Sequence, residues 1–138
     1  WEMTRVAVEG HPGLVASDRE IRRGGPTYTI DTVEELLAER PTTEISIVLG
    51  ADAAARVDTW HRATELAALV DLVVVPRPGE PSPAVPPPWR ASVLRVPPIG
   101  ISSTEIRARC AAGRSIDFLV PDGVRVIIEQ RRLYGDRP

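Results

Sequence analysis

Lysine does not occur in this sequence, and all 17 of its basic side chains are arginines. The absence excludes a Walker P-loop, which needs Gly-Lys-Ser/Thr, and any Schiff-base enzyme, which needs a lysine amine. Cysteine is nearly as scarce. Cys110 is the only one, so an internal disulfide framework and a cysteine-based zinc cluster are both excluded. Beside Ala111 and Ala112, it fits a small packing residue in a reducing compartment. No apolar run approaches the length of a membrane span, and no charged-then-apolar signal stretch opens the sequence; a cytoplasmic location without membrane partners is expected. The net charge of −2 supplies no general basic field for nucleic acid, so any anionic ligand must be held by local groups.

The 138 residues and 43% hydrophobic content suit one domain, 1–138, with a single core. Met3, Val6 and Ala7 follow helical spacing and Gly10 with Pro12 stops them. Since an initiator methionine is not normally trimmed from in front of tryptophan, Trp1 suggests that an N-terminal part is missing. Leu14 to Ser17 is a strand candidate, followed by the charged stretch Asp18 to Arg23 and the breaker Gly24-Gly25-Pro26. Thr29 is placed to N-cap a helix from Ile30 to Arg40, in which Ile30, Val33 and Leu37 share a face and Pro41 ends the run. Ile45 to Leu49 is predicted as a buried strand ending at Gly50, with helix starting at once at Ala51. A further helix runs through Glu65, Leu66 and Leu69, then a strand from Asp71 to Val75. The proline-rich stretch 76–91 is a loop, Ser92 to Val96 a strand, and Asp122 opens a last helix. Alternating helices and strands predict an α/β fold, a Rossmann-like parallel sheet flanked by helices.

Three turns carry chemistry. Gly100-Ile101-Ser102-Ser103-Thr104-Glu105-Ile106-Arg107 combines a helix start, three hydroxyls and a guanidinium one turn on, as an anion site requires. Ser102-x-x-Glu105 is equally a capping box, which any helix can use. Gly50-Ala51-Asp52 lies at a strand's carboxyl end, where open α/β sheets bind ligands. Asp52 is there either as a helix-dipole carboxylate or as a ribose hydroxyl acceptor. In a chain with 4% aromatics, Trp60 is a core candidate, and His61 is a surface or helix-start residue or a base.

Four blocks in order, Arg23-Gly24-Gly25-Pro26-Thr27-Tyr28-Thr29-Ile30-Asp31-Thr32, Gly50-Ala51-Asp52 with Trp60, Arg77-Pro78-Gly79, and Ile101-Ser102-Ser103-Thr104-Glu105-Ile106-Arg107, closely resemble bacterial nicotinate-nucleotide adenylyltransferases. The resemblance implies adenylyl transfer from ATP, with Mg²⁺, to nicotinate mononucleotide, yielding the dinucleotide and pyrophosphate in NAD synthesis. It implies that Ser103, Thr104 and Arg107 hold the triphosphate, with Ser102 and the backbone of Ile101 near the adenine. Gly50 would admit the adenosine and Asp52 would bind its ribose. Trp60 would stack on the pyridine ring, while Thr29 and the N–H groups of Ile30 and His61 would take the nicotinate carboxylate. No protein metal ligands are implied here. The family's Gly-rich turn with His-x-Gly-His would precede Trp1, so the sequence is expected to be the C-terminal part of such an enzyme, lacking the N-terminal strand-helix portion and inactive alone. Two alternatives stay open: a transferase for another acceptor, such as nicotinamide mononucleotide or phosphopantetheine, and a noncatalytic nucleotide-binding module. The expected partners are ATP and nicotinate mononucleotide, with a homo-oligomer left open.

Overall fold

The computed structural model describes residues 1–76, 85–97 and 99–135. The chain divides into two compact units, residues 19–98 and the pair of segments 1–18 and 99–138. Arg77-Pro78-Gly79 and half of the proline-rich stretch 76–91 lie outside the described residues.

The first unit holds a three-stranded parallel sheet, β1 (Ile45–Gly50), β2 (Val70–Val75) and β3 (Ala91–Val93), in that order. β1 and β2 run in register from Ile45 opposite Val70 to Gly50 opposite Val75. Between them come α4 (Ala51–Ala54), a single 3₁₀ turn (Val57–Thr59) and α5 (Ala63–Leu69), the helical crossover that a parallel pair requires. Val70, Leu72 and Val74 point from β2 into the core, where they meet Ile30 and Val33 of α3 (Thr29–Glu39) and Leu66 of α5. The apolar stripe on α3 is the predicted one, with Leu37 packed at its edge. Each fully buried leucine or isoleucine contributes about 1.5–3 kcal/mol by leaving water.

One expectation for this unit needs correction, and a stretch without a predicted element forms one. β1 is not buried throughout: its exposure alternates, and Val48 is 64% exposed. An apolar run is compatible with a sheet covered on one face or both, and on this strand it is one. The charged stretch before Gly24 is helical, α2 (Arg19–Arg23). Its one apolar residue, Ile21, is exposed, so no hydrophobic period announces it. Ion pairs hold it instead, with both nitrogens of the Arg19 fork on the Glu39 carboxylate at 3.0 and 3.2 Å and Arg23 Nε on Glu35 at 2.8 Å. The facing guanidinium groups keep the Glu35 and Glu39 carboxyls below their ordinary range.

In the second unit, α1 (Glu2–Val8), α6 (Ser103–Ala111) and α7 (Asp122–Gln130) surround Ile106, Ile116 and Ile128. Cys110 packs against this cluster, as expected of a small apolar side chain. Leu14 to Ser17 forms no strand, and Leu14 and Val15 are exposed. A strand exists only through its ladder partner, which local sequence cannot report. No helix among the described residues is long and apolar enough to cross a membrane.

Gly123 lets α1 and α7 approach, since a Cβ built there would collide with Val6 Cγ1. Gly123→Ala gains about 1 kcal/mol of helix propensity, but the overpacking costs about 1–3 kcal/mol. Urea unfolding should therefore show a net loss of stability that Val6→Ala relieves. A Gly123→Ala protein as stable as wild type would refute this account of the glycine.

Candidate functional site

The chain turns from α2 into α3 through Gly24 and Gly25, both left-handed with φ of 67° and 70°, a region that side chains other than glycine's enter at a cost. Tyr28 is still extended and occupies the N-cap position, so Thr29 is the first helical residue of α3 rather than its cap. That correction leaves the Thr29 hydroxyl uncommitted to capping, since no side-chain cap bond forms at this end. The leading N–H groups of a helix have no partners within it, and the dipole makes that end favourable for anions. Ile30 is 0% exposed; its side chain belongs to the core, so only its backbone could serve a ligand.

Opposite, the 3₁₀ turn delivers Trp60 and His61. Thr27, Tyr28, Thr29, Trp60 and His61 line a cavity of about 230 Å³, below the roughly 300–1,000 Å³ of whole-ligand pockets and suited to part of a ligand. The rings of Tyr28 and His61 stack, with centroids 4.0 Å apart and planes 28° apart. Trp60 is half-buried against the core, as the core reading expects, and it also lines the cavity. Thr27 and Tyr28 were not singled out by sequence reasoning; their position directly before Thr29 was the available signal.

Arg62 follows in left-handed backbone, φ 53°. Its guanidinium makes paired bonds to Glu34, at 3.1 and 2.7 Å, and to Glu65, at 3.1 and 2.7 Å, with Asp31 at 4.0 Å. The hydrogen bonds that Arg62 donates to Glu65 and Glu34 raise the arginine's pKa further, and Arg62 in turn holds the Glu65 carboxyl below its ordinary range. This cluster was not legible as a unit, because its members lie up to 34 positions apart.

At the carboxyl end of β1, Gly50 has φ −71° and a Cβ added there would meet nothing within 4 Å. Neither backbone conformation nor packing therefore demands glycine. Gly50→Ala should leave stability within about 1 kcal/mol, a lost N-cap preference partly offset by a stiffer unfolded chain. If the open face receives a ligand backbone or sugar, the same change raises KM for ATP; an unaltered KM would count against a site here. Asp52 is exposed in the first turn of α4, a helix too short to provide much dipole.

In the other unit Ser102 is the N-cap of α6, and its Oγ accepts from the Glu105 N–H at 3.1 Å. The Glu105 carboxylate faces Arg109 at 3.8 Å. Ser103, Thr104 and Arg107 are exposed, and Arg107 Nη2 donates to Thr104 Oγ1 at 3.3 Å. Ile101, Ser102, Ser103, Ile106 and Arg107 line part of a cavity of about 330 Å³ whose remaining wall is largely apolar. The cap forms at Ser102 and leaves Ser103, Thr104 and Arg107 outside it and exposed.

The candidates thus fall into three groups: Thr29, Trp60 and His61 around one cavity, Gly50 and Asp52 at the end of β1, and the Ile101 to Arg107 segment in the second unit. Among the described residues no three His, Cys, Asp or Glu side chains are grouped to hold a metal ion.

Comparison with known proteins gives a consistent pattern. The cytidylyltransferase-like family model matches residues 1–109. A "probable nicotinate-nucleotide adenylyltransferase" of Geobacillus thermodenitrificans is 42% identical over 135 residues, covering 98% of this chain and 61% of the relative. Relatives of the same name from Streptomyces coelicolor and Thermus thermophilus are each 43% identical, covering 96% and 97% of this chain and 71% of themselves. The chain thus spans less than two thirds of the Geobacillus relative. In structure it resembles a Plasmodium falciparum nicotinic acid mononucleotide adenylyltransferase complexed with NaAD, with a TM-score of 0.63 at 17% identity over 79% of this chain and 58% of that one. That likeness shows the Rossmann-like α/β fold.

Proposed function

The chain belongs to the nicotinate-nucleotide adenylyltransferases, within the cytidylyltransferase-like family, and we propose that it serves adenylyl transfer from ATP to nicotinate mononucleotide in NAD synthesis. The observation that carries the substrate choice is the cavity bounded by Thr29 at the start of α3 and by Trp60 and His61. An aromatic face, a hydroxyl and helix-start N–H groups suit a flat ring bearing an anionic substituent. In this reading Trp60 stacks on the pyridine ring, and Thr29 with the N–H groups of Ile30 and His61 receives the carboxylate. A neutral carboxamide would forgo the charge-assisted bonds.

The reaction forms one bond and breaks one. A phosphate oxygen of the mononucleotide attacks the α-phosphorus of ATP, and the bond from the α-phosphorus to the bridging oxygen breaks, with pyrophosphate leaving and taking its electron pair. Such chemistry needs alignment and charge stabilisation rather than a covalent enzyme intermediate. Ser103, Thr104 and Arg107 are assigned to the triphosphate, Ser102 and the Ile101 backbone to the adenine end, Gly50 to close approach of the adenosine and Asp52 to its ribose. Mg²⁺ enters with ATP, as part of that substrate. We take residues 1–138 as one nucleotidyltransferase domain, because the family match, residues 1–109, takes in all of one compact unit and continues into the other.

The test is pyrophosphate release by the full-length gene product, with ATP and either nicotinate or nicotinamide mononucleotide. A preference for nicotinate of about tenfold or more, the effect of one charge-assisted contact, is expected. Equal use of both would reassign the acceptor, and no release with either would reject the transferase.

A further inference from the structure

Arg62 sits directly after the two residues that form one wall of the ring cavity, in left-handed backbone that arginine keeps only where surrounding contacts hold it. Glu34 and Asp31 belong to the opening turns of α3, the helix that begins at Thr29, and Glu65 belongs to the first turn of α5. One guanidinium therefore spans three carboxylates and ties the segment carrying Trp60 and His61 to the helix start opposite. The charge balance matters as much as the tether. Without Arg62, Glu34 and Glu65 would lose the cation they share, and with Asp31, which Arg23 also balances, they would add negative charge near the helix start at which an anionic substituent is to be received. Charges closer together than about 8–10 Å are not fully screened by salt at physiological ionic strength.

We propose that Arg62 is a positioning residue that sets acceptor specificity, offsetting the carboxylates that Asp31, Glu34 and Glu65 carry beside the cavity-lining segments so that an anionic ring can enter. It does so without touching the ligand. The inference rests on the nicotinate reading given above, and it makes a claim that a purely structural strut would not. A strut raises KM for charged and neutral rings alike. A charge-balancing residue changes their ratio.

The experiment compares kcat/KM for nicotinate and nicotinamide mononucleotides in the full-length gene product and its variants. Arg62→Gln should lower the nicotinate preference about tenfold, with KM for ATP unchanged, and Arg62→Lys, which keeps the charge but not the fork, should retain most of it. Glu65→Gln removes a negative charge while Glu34 still holds the arginine, so it should raise the preference by about threefold. If Arg62→Gln fails to fold, Glu65→Gln decides alone: a rise supports the proposal, and an unchanged or lower ratio overturns it. A discriminating wild type whose Arg62→Gln variant keeps its ratio overturns this inference alone, whereas a wild type that does not discriminate removes the nicotinate reading and this inference with it.

Discussion

Arg107→Ala is expected to lower kcat/KM for ATP by about 10²- to 10³-fold, the usual cost of removing one preorganised donor to developing charge. The expectation follows from how little else Arg107 does. Its side chain is exposed, and its one side-chain hydrogen bond among the described residues goes to Thr104 Oγ1, within the same helix turn. Substitutions at such surface positions usually change stability by less than about 0.5 kcal/mol, so a large loss of activity in a normally stable protein cannot be blamed on unfolding. The proposed triphosphate role draws on Ser102 taking the capping duty, which leaves Ser103 and Thr104 at the positive end of a nine-residue helix. Arg107→Lys should recover part of the activity, restoring a point charge without the planar fork that matches phosphate oxygens. Steady-state kinetics together with a melting curve check both variants. An Arg107→Ala enzyme within about threefold of wild type, too little for a lost charged contact, would remove the triphosphate role.

How far the sequence disclosed this arrangement depended on the range of the interaction concerned. The α3 stripe of Ile30, Val33 and Leu37 and the strand–glycine–helix succession at Gly50 are short-range patterns, and the structure contains both. The cap at Ser102 is also local, and it forms as the spacing predicts. Where a partner from elsewhere decides, local pattern fails. Leu14 to Ser17 has strand-like residues and no ladder, α2 is a helix held by Glu35 and Glu39, and Arg62 acquires its meaning from Glu34 and Asp31 on another helix. Thr29 shows a finer limit. Threonine is a good cap by type, yet the extended backbone at Tyr28 moves the cap position back one residue, which turns Thr29 from a structural hydroxyl into one free of capping.

Trp60→Ala should raise KM for nicotinate mononucleotide by about 10- to 100-fold while leaving KM for ATP close to wild type, since aromatic stacking on a heterocycle is worth about 1–3 kcal/mol. The neighbouring rings explain why the effect concentrates here. His61 is already stacked on Tyr28 at 4.0 Å, so its ring face is engaged and its expected contribution is the backbone N–H; Trp60 also lines the cavity and makes no such ring stack among the described residues. Because Trp60 is also packed against the core, alanine will destabilise the protein as well, by a fraction of the roughly 3–5 kcal/mol lost when a fully buried tryptophan is truncated. Trp60→Phe separates the two effects. It keeps an aromatic face but loses part of the packed volume, so stability should fall while KM for the mononucleotide stays within about fivefold of wild type, as offset stacking is largely retained. If Trp60→Ala and Trp60→Phe instead change KM in proportion to their loss of stability, the indole is a core residue alone and the ring site must lie elsewhere.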